Sequence, residues 1–273
     1  MKSILVATDL SNRSDRAVQK AFAFAEKHDA KLTVLNVVDS DLPTDIAQTM
    51  QASAETQIKA HCTSLSKRSC HAMVKVDDPI SGIHSVADDV NADVVVLGVH
   101  RPRPFFDLFS GSTLERLVRA SERPVLLVRD PASGQYENPV CGIDFSASCV
   151  EAAKSCAMLV PEARISTFFA VHIPFKGFLT PGGTHAQFQP YIDDAKHRLD
   201  TWLSTADLPE QCMPPEVLVG EVQDALNRML KKVNGDLIVV GAHARVSPSP
   251  TYLGTFAQDL VRNPPCDILV VRN

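Results

Sequence analysis

The sequence lacks a long apolar run, a paired-cysteine motif and any surplus of basic charge, and each absence removes a class of protein. The opening MKSILVATDL offers one lysine and a four-residue apolar run ahead of Asp9, too short for a signal-peptide core or a membrane span. Seven cysteines form an odd set without C-x-x-C, in a chain too long to need disulfide staples, so free thiols and a reducing compartment are expected. The 27 basic residues are outnumbered by 32 acidic ones, for a net charge of −5, a poor basis for gripping a nucleic-acid backbone. The expectation is a cytoplasmic protein with neither nucleic acid nor membrane as partner. Also absent are G-x-x-x-x-G-K-[S/T] and G-x-G-x-x-G, which sets aside mainstream P-loop NTPases and dinucleotide dehydrogenases.

What is present repeats. The 273 residues are 45% hydrophobic and 22% charged, an ordinary globular composition. VNADVVVLG at Val90 to Gly98 returns as VNGDLIVVG at Val233 to Gly241, an offset of 143 residues. The same offset carries Gly111 onto Gly254, His100 onto His243 and the LLVR ending at Arg129 onto the LVVR ending at Arg272. Nearer the start of each half, ILVATDLS at Ile4 to Ser11 resembles VCGIDFS at Val140 to Ser146 with an offset of 135, so the second half carries a small insertion. Two domains follow, 1–130 and 138–273, with 131–137 as linker.

Within each half, β-branched runs alternate with segments of helical period, the pattern of β-α-β units and a parallel sheet. First-half strands are expected near Ser3 to Thr8, Leu32 to Val38, Ala72 to Val76, Val94 to Gly98 and Val125 to Val128. Val18, Ala21, Phe22 and Ala25 share one helix face, and Tyr191, Ala195, Leu199, Trp202 and Leu203 form a second-half stripe expected to cover the sheet. Ser148 followed by Glu151 resembles a capping box and marks a helix start just after Asp144.

Parallel sheets bind ligands at the carboxyl ends of their strands, preferably where strand order reverses. The residues so placed are Asp9 and the segment from Gly98 in the first half, and Asp144 and the segment from Gly241 in the second. Glycine at Gly98 and Gly241 permits a sharp turn and close approach of backbone to ligand. Gly111-Ser112 and Gly254-Thr255 stand at helix starts, where free N–H groups and the helix dipole favour phosphate.

These residues resemble the G-2x-G-9x-G-[S/T] phosphate loop of the universal stress protein (UspA) superfamily. The opening ILVATD, the VNADVVVLG strand, the nine-residue gap and the closing PVLLV fall in that family's order in both halves. The resemblance implies an α/β protein of two tandem doubly wound domains, each a five-stranded parallel sheet of order 3-2-1-4-5 with helices on both faces. It also implies that the last strands of the two domains pair within the chain; whether a further homodimer forms stays open. Asp9 and Asp144 match the family aspartate at the adenine and ribose. Gly98, Gly111, Ser112 and Thr113 match the phosphate loop of the first half, and Gly241, Gly254 and Thr255 that of the second. Val38 matches the wall of the base pocket. The middle glycine of the loop is replaced by Arg101 in one half and Ala244 in the other. Arg101 has two readings: its guanidinium pairs with phosphates, or it fills the cleft.

The implied ligand is ATP or AMP, with Mg²⁺ where ATP binds, and the implied role is a stress-response protein whose interactions follow its nucleotide. Two alternatives stay open: an interaction module that has lost the phosphate loop, suggested by Phe105, Phe106 and Phe109, and a weak ATP hydrolase. No catalytic residue is assigned, because neither half offers a nucleophile-base pair at recognisable spacing. His61, Cys62, Cys70 and His71 are zinc-ligand types, but their C-x7-C spacing fits no common site, so no protein-held metal site is expected there. Cys149 and Cys156 read as small buried hydrophobes.

Overall fold

The computed structural model describes residues 1–11, 14–99, 113–129, 135–172, 185–242 and 253–272. The first half contains β1 (Ser3–Ala7), α1 (Ser14–His28), β2 (Lys31–Asp39), α2 (Thr44–Leu65), β3 (His71–Asp77), α3 (Pro79–Asp89), β4 (Val94–Gly98), α4 (Thr113–Ala120) and β5 (Val125–Val128). The second contains β6 (Pro139–Gly142), α5 (Ala147–Leu159), β7 (Ser166–Val171), α6 (His185–Leu203), β8 (Glu216–Val219), α7 (Val222–Val233), β9 (Leu237–Gly241), α8 (Thr255–Arg262) and β10 (Asp267–Val271). The expected first-half strands are all present.

The ten strands form one sheet of order β3-β2-β1-β4-β5-β10-β9-β6-β7-β8. Counted within its own half, each set runs 3-2-1-4-5. Neighbours are parallel except β5 and β10, which pair antiparallel with Leu126 opposite Leu269. The repeat offset maps Leu126 onto Leu269, so the halves meet about a local two-fold axis.

Central strands of such a sheet are buried on both faces, so every residue of VVVLG in β4 and VLLV in β5 is buried. One face packs against α1, α2 and α5, and the other against α3, α4, α7 and α8; each of these two cores draws buried side chains from both halves. The hydrophobic interior is therefore continuous across the junction.

Polar groups are also sealed into the junction. Asp267, 2% exposed, accepts hydrogen bonds from the Arg129 backbone N–H at 2.7 Å and from the Tyr136 hydroxyl. The Lys20 ammonium lies 3.9 Å from the same carboxylate and 4.3 Å from the centre of the Tyr136 ring. Tyr136, inside the segment read as linker, is thus a core residue. Burial and the neighbouring Asp267 carboxylate hold its hydroxyl well above its ordinary pKa. On the opposite face, Glu115 of α4 accepts from Arg262 at 2.7 Å and from Gln258 at 3.1 Å, both on α8.

Two local expectations shift. The N-cap of α5 is Ser146, whose hydroxyl accepts from the Cys149 N–H at 3.1 Å; Ser148, two residues on, is buried instead. Along α6, Ala195 and Leu199 are buried as expected, but Tyr191 is 47% exposed. It stands over an opening at the carboxyl ends of the second-half strands.

Candidate functional site

In both halves the chain leaves the first strand through the same turn. The Asp144 carboxylate accepts from the backbone N–H of Ser146 at 2.9 Å, and Asp9 accepts from that of Ser11 at 3.0 Å. The intervening Phe145 and Leu10 adopt left-handed backbone with φ of 67° and 59°, which the aspartate's short-range hydrogen bond helps to hold. Each aspartate is thereby fixed at the carboxyl end of the sheet.

Around Asp144 the second half opens into a cavity of about 530 Å³ between the ends of β6, β7 and β9, roofed by α6. It lies where the strand order reverses from β6 to β9, the usual ligand position in such sheets, and its size suits a small molecule. Asp144, Phe169, Tyr191, Arg198, Gly241 and Phe256 line it. At the mouth, His172 lies 2.7 Å from Glu221, the N-cap residue of α7.

Gly241 performs a different task from the sharp turn expected of it. A Cβ there would stand 2.6 Å from the Ser148 hydroxyl and 2.7 Å from the Ser148 backbone. The missing side chain lets the start of α5 press against the end of β9, and this sets the cavity floor. Gly254 caps α8, donating its N–H to the Ala242 carbonyl at 3.0 Å, while Thr255 opens the helix and is exposed. Those contacts bring the helix start to the cavity, where Phe256 meets it.

The first half places its counterparts similarly. Gly98 ends β4 opposite Val128, Thr113 opens α4, and Val38 is 4% exposed in β2. Strand register makes Val171 the second-half equivalent of Val38, and Val171 lines the cavity. Arg101, Gly111, Ser112, Ala244 and both loop histidines lie outside the described residues, as do Phe105, Phe106 and Phe109. Among the described residues no group of three or more His, Cys, Asp or Glu is placed to hold a metal ion, and no helix is long and apolar enough to cross a membrane.

Phe169 forms part of the cavity wall, and behind it Phe145 lies 4.7 Å from Phe169 and 5.5 Å from Trp202, ring centre to ring centre, with the ring planes tilted by 32° and 43°. The Arg198 guanidinium lies 5.8 Å from the Phe145 centre and 3.7 Å from Asp194. Arg198 and Asp194 share one turn of α6 with the stripe read as core, and only the fold shows that this turn borders an opening. Behind the wall, burial pushes the Cys149 thiol up to about 12, which keeps it uncharged at neutral pH. The arrangement pairs flat apolar surfaces with a cation, carboxylates and a helix start, and suits a planar ring carrying polar groups.

A model of the universal stress protein family matches residues 1–129 and, separately, 135–272. A universal stress protein of Staphylococcus saprophyticus is 32% identical over 139 residues, 47% of this chain and 83% of that protein. Among solved structures, a universal stress protein from Archaeoglobus fulgidus superposes with a TM-score of 0.67 at 15% identity, over 99% of this chain and 98% of its own. One from Pseudomonas aeruginosa gives 0.59 at 15% identity, over 100% and 93%. These two similarities concern the fold, and they extend along the whole tandem arrangement.

Proposed function

The chain belongs to the universal stress protein family, and from that premise we propose that it is a cytoplasmic stress-response protein that binds ATP or AMP and alters its interactions accordingly. The domains 1–130 and 138–273 act as a pair. The observation that carries the reading is the 530 Å³ cavity at the second-half strand reversal, where Asp144, Gly241 and the helix start at Gly254-Thr255 converge. In this reading the base rests against the aromatic wall, Asp144 meets the ribose, and the phosphates lie toward Gly254 and Thr255, with Mg²⁺ accompanying ATP. Asp9, Val38, Gly98 and Thr113 repeat the placement in the first half, with Arg101, Gly111 and Ser112 completing its loop.

Trp202 is the only tryptophan and packs on Phe145 beside the second cleft, so its fluorescence reports on that half alone. Titration with ATP or AMP is expected to change it saturably, with matching heat in calorimetry, and Asp144→Ala to weaken both. No heat and no fluorescence change at millimolar nucleotide would sink the proposal.

The apolar second cleft supports one other reading, an interaction module without nucleotide. It requires a homodimer or partner complex indifferent to ATP and to Asp144→Ala.

A further inference from the structure

The helices that follow the second strand of each half, α2 and α6, align by what they bury. Ala47, Ala54 and Ile58 are buried in the first, and so are Phe188, Ala195 and Leu199 in the second, each 141 residues further on. The same offset sets Met50, Ser53 and Gln57 against Tyr191, Asp194 and Arg198. On α2 the last two positions are neutral and satisfy each other, since the Gln57 amide donates to the Ser53 hydroxyl at 2.9 Å. On α6 they carry opposite charges.

Tyr191, Asp194, Ala195 and Arg198 recur at the three- and four-residue spacing of one helix face, and all four line the second-half cavity. Arg198 is the one lysine or arginine among the described lining residues. Its ion pair with Asp194 is long, 3.7 Å, and more than half of each side chain meets solvent. A surface pair of this kind holds a helix only weakly, so both groups are available to a ligand. On the floor, Asp144 takes the Ser146 N–H and hydroxyl on one oxygen, at 2.9 and 2.5 Å. The roof therefore sets an acceptor, Asp194, beside a donor, Arg198, in a cavity walled in part by Phe169.

We propose that Asp194 and Arg198 read the edge of an adenine base in the second cleft, an inference that rests on the nucleotide reading above. Adenine carries a donor, its 6-amino group, flanked by ring nitrogens that accept. The Asp194 carboxylate accepts from the amino group, while the Arg198 guanidinium, which has donors only, donates to a flanking nitrogen. Each contact has one charged partner, which strengthens it. Ser53 and Gln57 bring no such charges to the first half, so the halves select bases differently: the second demands the 6-amino group through this helix face, and the first does not.

The test titrates full-length protein with AMP and with purine riboside 5′-monophosphate, which carries hydrogen in place of the 6-amino group, and follows Trp202 fluorescence. Wild type is expected to bind AMP about tenfold more tightly than the analogue, the loss of one hydrogen bond to a charged group. Asp194→Ala should abolish that preference by weakening AMP and leaving the analogue unchanged. Arg198→Gln, which installs the first half's side chain, should weaken both ligands alike, because both keep the ring nitrogens. Equal wild-type affinity for the two ligands would overturn the inference and leave the nucleotide reading standing. So would equal weakening of both by Asp194→Ala, the result if that residue only supports Arg198, or unchanged affinities in Arg198→Gln. A wild type that responds to neither ligand overturns the inference together with the reading beneath it. The wild-type comparison needs no variant, so it decides even where one fails to fold.

Discussion

Three equivalent positions show how the halves of this molecule diverged under one fold. In the first half they hold Thr8, Ser14 and Asn36; in the second, Ile143, Cys149 and Phe169. The first set is knit by polar contacts: Asn36 donates to the Thr8 carbonyl at 2.8 Å, and the Thr8 and Ser14 hydroxyls are 2.8 Å apart. The second set joins an apolar cluster with Leu199, Phe145 and Trp202. The backbone is indifferent to this exchange, since Thr8 and Ile143 each donate their N–H to the neighbouring strand at 2.8 Å. The aspartate turn keeps its own hydrogen bond in both halves, but polar contacts back it in the first and aromatic packing backs it in the second, so the chemistry around the turn diverges while topology stays fixed.

The largest effect is expected where the halves cease to be separate. Asp267→Ala takes the buried carboxylate away from the Lys20 ammonium, 3% exposed, the Tyr136 hydroxyl and the Arg129 N–H, and disrupting a buried ionic contact costs about 3–5 kcal/mol. Because both cores cross the junction, Trp202 fluorescence and far-ultraviolet circular dichroism should give coincident urea transitions, shifted together in the variant. Separate transitions would break the picture of one folding unit.

Next is a change confined to the second cleft. Gly241→Ala forces a methyl group into the Ser148 backbone, and overpacking of that kind costs about 1–3 kcal/mol. The start of α5 must move, taking Asp144 with it. Weaker nucleotide binding in the Trp202 titration, along with the lower stability, is the expected result; unaltered binding would separate the glycine from the cleft.

Asn36→Ala is the first-half counterpart. It removes the donor to the Thr8 carbonyl and should cost about 1 kcal/mol in urea unfolding, leaving the Trp202 response unchanged. A large change in that response would show that the clefts communicate.

Much of this was legible in residue order. The repeat register located both copies, and unbroken apolar runs located the central strands, since burial on both faces leaves no polar alternation. Whatever depends on two distant segments meeting is not legible in residue order. Tyr191 shares the spacing of a core stripe but stands over an opening. Lys20 looks like a solvated helix residue until β10 brings Asp267 to it. The exchange of Asn36 for Phe169 appears only once strand register aligns the halves, because the offset is 135 from Asp9 to Asp144 but 133 from Asn36 to Phe169. Ser148 carried the capping signal while Ser146 does the capping, a shift of two residues that local pattern alone does not resolve.

The smallest effect concerns acid. His84 on α3 corresponds, through the repeat offset, to Asn227 on α7, so only the first half titrates there. Burial holds the His84 pKa below its ordinary 6.5; the Asp88 and Glu122 carboxylates oppose that shift and Arg272 reinforces it. Its Nε2 is buried without a hydrogen-bond partner among the described residues. As pH falls through 6.5 the unfolded chain takes up this proton before the folded one does, so folding stability falls with it until His84 protonates in the native state. His84→Asn gives the first half the second half's side chain. At pH 8, where both side chains are neutral, the difference between variant and parent reflects packing alone and sets the baseline for the acid limb. Below pH 6.5 its stability should decline less steeply in urea titrations. An unchanged acid slope would place the sensitivity elsewhere and remove this asymmetry between the halves.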